Sequence, residues 1–104
     1  MQNVYIGTEL KLNINIEPIS EMHMKDYDFK VEAYCIPNKI TTITKQKAIE
    51  VDEDNYIVLI DTKEVGLGNL KCKIIANIPD PDFLDSDGTR SEVTVINTDI
   101  QIVK

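Results

Sequence analysis

The sequence predicts an all-β protein, a two-sheet sandwich of seven to eight strands, and three observations predict it. Apolar and polar residues alternate with a period of two in several separate stretches. These stretches are short and are divided by turn formers such as Pro37-Asn38 and Asp52-Glu53-Asp54-Asn55. No stretch keeps a helical period for longer than one turn.

A short strand is expected over Asn3 to Ile6, with Gly7 as a bend or bulge. From Glu9 to Glu17 the alternation is clean: Leu10, Leu12, Ile14 and Ile16 share one face, and Pro18 stops the strand. From Tyr27 to Ile36, residues Tyr27, Phe29, Val31, Ala33 and Cys35 point one way, and Pro37-Asn38 ends the run. Lys39 to Lys47 is rich in Thr and Ile but polar on both sides, which fits an edge strand blunted by lysines. Ala48 to Val51 is a short strand, and the apolar run Tyr56 to Ile60 suits a central one. Asp61 to Gly66 reads as one helical turn, with Asp61 or Thr62 accepting its first free N–H groups and Gly66 closing it in the left-handed region.

Leu70 to Ile78 alternates again, with Leu70, Cys72, Ile74, Ala76 and Ile78 inward. A loop from Pro79 to Thr89 carries four aspartates. The last strand runs from Ser91 to Val103. Val93 and Val95 are odd while Ile100 and Ile102 are even, so a bulge near Asn97-Thr98 is expected to restore the inward face. Strands of this number and spacing indicate an immunoglobulin-like sandwich, a partly closed barrel being the alternative. Residues 1–104 form one domain in this reading, with both ends tied into sheets or into a neighbouring subunit.

The formal net charge is −7, from 18 acidic and 11 basic residues, which disfavours nucleic acid as a partner and favours solubility. No basic amphipathic face for a membrane surface is visible, and no apolar run nears the roughly 20 residues of a membrane helix. The stretch MQNVYIGTELKLN lacks a charged leader followed by an apolar core, so synthesis in a cytoplasm without export is expected.

Candidate chemistry is sparse. Met22-His23-Met24 offers two thioethers and an imidazole to a soft metal, against the plainer role of methionines covering a sandwich end. Asp80, Asp82, Asp85 and Asp87 are the calcium candidates, since hard cations take carboxylate oxygens. Aligning Gly88 with the invariant glycine of a calcium loop puts Phe83 and Thr94 at its first and last ligand positions, where carboxylates are needed. A solvated turn is the expectation, with no metal and no cofactor, the alternative being a calcium-dependent binding module whose loop from Asp80 to Asp87 holds the ion.

Cys35 and Cys72 both fall on inward faces. An inter-sheet disulfide is conceivable, but without Trp or an export signal two buried thiols are expected. A catalytic thiol would need a base beside it, and His23 lies on a separate loop. Six aromatics and no long loops leave no wall for a glycosidase cleft. Gly66-Leu67-Gly68 lacks the Lys-Ser/Thr and helix of a phosphate loop. Lys39, Lys45 and Lys47 make the one basic patch, read as a solvated edge or a seat for an acidic partner. No catalytic residue is assigned, and no enzymatic activity is expected.

Two stretches carry a resemblance. Asp61-Thr62-Lys63-Glu64-Val65-Gly66-Leu67-Gly68-Asn69-Leu70 is one, and Ile78-Pro79-Asp80-Pro81-Asp82-Phe83 with Asp87-Gly88-Thr89-Arg90-Ser91-Glu92 is the other. Together they resemble small immunoglobulin-like virion proteins of tailed bacteriophages, particularly the crAss-like phages of gut Bacteroidales. The resemblance covers the C-terminal half. It implies a virion location and a structural role, as an auxiliary capsid protein that decorates or bridges capsid subunits, or as a portal- or tail-associated subunit. The partner would then be a larger protein assembly, with no small-molecule substrate. The loop from Pro79 to Thr89 departs from the family in its acidity, so no contact is carried over to it.

Overall fold

The computed structural model describes residues 2–17 and 22–104, apart from the side chain of Ser86. Eight strands run in chain order: β1 (Gln2–Tyr5), β2 (Glu9–Asn15), β3 (Asp28–Tyr34), β4 (Ile40–Thr44), β5 (Ile49–Asp52), β6 (Asn55–Asp61), β7 (Gly68–Pro79) and β8 (Thr89–Val103). The only helical elements among the described residues are three-residue 3-10 turns. Pro18, expected to stop the second strand, lies outside the described residues, and β2 already ends at Asn15.

The strands form two sheets, β1-β8-β7-β3-β4 and β2-β6-β5. The last strand and its two inner neighbours share one sheet, the second, fifth and sixth strands form the other, and this is the immunoglobulin-like arrangement. β1 lies parallel to the end of β8, pairing Gln2 with Ile100 through Tyr5 with Val103. The remaining strand pairs are antiparallel.

One core lies between the sheets. Phe29, Val31 and Ala33 of β3, Leu70, Cys72, Ile74, Ala76 and Ile78 of β7, and Tyr56, Val58 and Ile60 of β6 are all buried. Phe29 joins the layers, its ring meeting Tyr56 edge-on at 5.0 Å between centroids and Tyr27 at 6.4 Å. β6 is the middle strand of its sheet as expected, but it is buried on one face only: Leu59 is 52% exposed.

Two glycines let the chain turn where the strands change direction. Gly7, at φ +100°, links β1 in one sheet to β2 in the other. Gly66, at φ +81°, closes the turn after Asp61, whose carboxylate accepts the Lys63 N–H at 3.0 Å. The positive φ is what requires glycine there, since a Cβ would stand 3.0 Å from Ile36 Cδ1, a side-chain end that can shift to make room.

β8 departs from expectation in its phase. The bulge exists, because Lys71 pairs with Asn97 but Asn69 with Gln101, leaving two extra residues in β8, and Asp99 takes φ +59°. Two extra residues preserve parity, so the inward face does not switch. Ile96, Ile100 and Ile102 all face inward, while Val93 and Val95 point out and are 54% and 56% exposed. The inward residues of the first half of β8 are Arg90, Glu92 and Thr94, opposite Ile78, Ala76 and Ile74. The five-stranded sheet is wider than its partner, so this half of β8 overhangs open space and tolerates polar side chains.

Candidate functional site

One end of the sandwich gathers most of the polar chemistry. The turn between β5 and β6 brings Glu53 and Asp54 against the 3-10 turn Met24–Asp26. The local fold follows from short-range acceptors. Asp52 accepts the Asp54 N–H at 2.9 Å and the Asn55 side-chain amide at 2.8 Å, which also holds its carboxyl below the usual carboxylate range. Asp54 is thereby free to reach out: its Oδ2 lies 2.8 Å from His23 Nδ1 and its Oδ1 accepts the Met24 N–H at 3.1 Å. Glu53 adds its carbonyl, which accepts the Lys25 N–H, and its carboxylate, 3.4 Å from His23 Nε2. The Asp54 hydrogen bond, helped by the charges of Asp54, Glu53 and Asp26, raises the His23 pKa above 6.5.

His23 is thus a clasp between two chain segments. Its neighbours are committed elsewhere: Met24 is fully buried and Met22 packs against the core. Among the described residues, no group of three or more His, Cys, Asp or Glu is placed to hold a metal ion.

Lys45 corrects the sequence reading of a solvated basic edge. β4 is an edge strand, but its run ends at Thr44, and Lys45 folds inward. Its ammonium donates to the carbonyls of Lys25 at 2.9 Å and Tyr27 at 2.6 Å and sits 5.8 Å from the Phe29 ring centroid. Beside it opens a groove of about 860 Å³ whose wall includes Lys25, Asp26, Glu50, Tyr56 and Asn77. Tyr56 donates its hydroxyl to Glu50 at 2.9 Å, and burial with that carboxylate pushes its pKa up to about 12. The groove therefore holds paired acids and bases, with its Tyr56 phenol held neutral.

The acidic loop between β7 and β8 is held by its own contacts. The Asp80 carboxylate lies 3.1 Å from Arg90 Nε and also accepts the Asp82 N–H. Arg90 reaches Glu92 as well. Asp85 sits in the 3-10 turn Leu84–Ser86, and Asp87 adopts the left-handed conformation that closes it. Asp80 is thus tied to Arg90, and the four aspartates do not converge on one point.

The thiols sit away from the His23 clasp. Cys72 is fully buried on β7, and Cys35 follows β3 on the neighbouring strand of the same sheet. An inter-sheet disulfide is therefore excluded by topology, and both cysteines are free. Burial raises both thiol pKa values, that of Cys72 to about 11. His23 precedes β3 and Cys35 follows it, so the seven-residue strand, about 20 Å long, separates base from thiol.

Large apolar side chains stand outward on both sheets. On the five-stranded sheet Val93 and Val95 lie beside Ile75 and Lys73. On the three-stranded sheet Ile49 pairs with Ile57, and Val51 and Leu59 share their exposed face. The sequence hid these surfaces, because an apolar residue in a strand reads as core until the width of the opposite sheet is known. Compared with protein-family models, curated proteins and solved structures, the chain has no match.

Proposed function

We propose that this chain is a non-enzymatic structural subunit of a phage particle, an auxiliary protein that decorates or bridges capsid subunits. The observation that carries the reading is the pair of outward apolar surfaces, Val93 with Val95 and Ile49 with Leu59, on opposite faces of one small sandwich. Two such faces suit a protein that joins neighbours rather than one that transforms a substrate. The resemblance of residues 61–70, 78–83 and 87–92 to small virion proteins supports the same role. The partner in this reading is a larger protein assembly, and neither nucleic acid, membrane nor a small molecule is needed.

The test is co-purification. Phage particles from the source culture are purified and their proteins are quantified by mass spectrometry. Near-capsid stoichiometry supports the auxiliary capsid role, and a few copies per particle would move the protein to the portal or tail. Absence from particles refutes the proposal.

A further inference from the structure

Among the described residues, β2 is the one long sheet edge without a protective device. Natural sheets guard their edges with short strands, bulges, or charged residues pointing inward. β1 has four residues. β5 also has four, with a register shift between Glu50 and Asp52 and with Glu50 on the inward side, across from buried Tyr56. β4 has five and is broken off by the turn at Lys45. The half of β8 that β1 leaves unpaired carries Arg90 and Glu92 inward. β2 has seven residues in unbroken register with β6, no Pro or Gly, and only apolar side chains facing in.

Its free backbone groups can be named. Thr62 N–H donates to the Thr8 carbonyl at 3.2 Å, and the register continues unbroken from Glu9–Asp61 to Asn15–Asn55. Even-numbered residues of β2 therefore direct their N–H and C=O groups to β6. Glu9, Lys11, Asn13 and Asn15 direct theirs to the open edge. Beside that edge lies a cleft of about 280 Å³, lined by Leu12 and Ile14 on one side and Ile96 and Ile100 on the other.

The width of the two sheets selects the occupant. Thr94 faces inward yet is exposed, so β8 projects past β2 at this point. A strand added beside β2 would lie opposite this overhang. A second copy docking edge to edge would bring its own projecting β8 into the same space. Lys11, on the outer face of the edge, makes no ion pair among the described residues, so it suits a carboxylate across the new pair. We propose that the open edge of β2 accepts an extended segment of a partner protein as an added antiparallel strand, with its apolar side chains over Ile96 and Ile100 and an acidic one facing Lys11. This inference does not depend on the particle role.

The probe is a synthetic peptide copying residues 55–61, the strand that already matches β2 on its other side, with Leu59→Asp so that an acid meets Lys11. Amide hydrogen exchange of the full chain is followed by NMR. The expected result within β2 is fast exchange at Glu9, Lys11, Asn13 and Asn15 but not at Leu10, Leu12 and Ile14, with the fast set slowed about tenfold or more by the peptide. Lys11→Pro removes one open-edge N–H without breaking a bond to β6, and it should abolish this protection while the other amides keep theirs. Should that variant not fold, a peptide N-methylated along its pairing edge should give no protection to the native chain. Slow exchange in the dilute chain alone would overturn the proposal, as would no response to millimolar peptide. Undiminished protection in folded Lys11→Pro or with the N-methylated peptide would overturn it too. Protection that grows with the chain's own concentration would assign the edge to a second copy and refute a lone partner strand.

Discussion

Thr62→Val removes one hydroxyl and should loosen the joint between the two sheets. Thr62 is a fully buried polar residue, and its Oγ1 accepts the Gly7 N–H and donates to the Thr8 carbonyl, both at 2.8 Å. Those bonds hold the β1–β2 turn to the end of β6. Valine keeps the shape and the β-branching but makes neither bond. Each intramolecular hydrogen bond contributes about 1 kcal/mol net, so the pair is worth about 2 kcal/mol. Gly7 and Thr8 are themselves exposed, so water can solvate their freed groups and the larger penalty for an orphaned buried donor does not apply.

For a domain of this size, 2 kcal/mol lowers the Tm by roughly 10 °C. Thr62→Ser is the control. It keeps the hydroxyl and loses one methyl group, about 1 kcal/mol. Thermal and urea unfolding measure both variants. Exchange at the β1 amides that pair with β8 should rise in Thr62→Val before the core amides respond. A Thr62→Val protein as stable as the native chain, or less affected than Thr62→Ser, would refute the claim that this hydroxyl anchors the turn.

Three other outcomes follow from the contacts above. Because the His23 pKa is raised on folding, its pairing with Asp54 adds stability below about pH 6.5, and that part is lost as pH rises through the raised folded value. A Tm series from pH 5.5 to 8.5 should fall in the native chain more than in His23→Gln. Lys45→Met should cost about 1.5 kcal/mol by urea titration, since two charge-assisted bonds to carbonyls are lost from a half-exposed donor. An aromatic disulfide reagent at pH 8 should label Cys35 before Cys72, and Cys72 should react only once urea unfolds the chain.

The strands that bury one clean face were legible from the sequence. β3 and β7 alternate without interruption and lie inside the wider sheet, so pattern and burial coincide, while β2 alternates as cleanly but, as an edge strand, leaves Leu10 and Leu12 half-buried. The helical turn at Thr62–Glu64 was legible too, because Asp61 and Gly66 act through neighbours within a few residues. β8 was misread for a reason of geometry rather than propensity. Its inward face is half core and half overhang, so Arg90 and Glu92 occupy positions that a full sandwich would fill with apolar residues. The valines between them then stand outside.

The polar contacts divide in the same way. Asp52 with Asn55 and Asp80 with Asp82 are local, and turn-rich acidic stretches announce them. His23 with Asp54 spans 31 residues, and Lys45 with Tyr27 spans 18, so only the fold brings them together. What the sequence offered was an excess: more acids in the β5–β6 turn than a turn requires, and a lysine at a strand's end. The same division leaves certain surfaces uncommitted. Local acids close their own turns, long-range pairs close the sandwich end, and the surfaces left over are the outward valines, isoleucines and leucine together with the unguarded edge of β2.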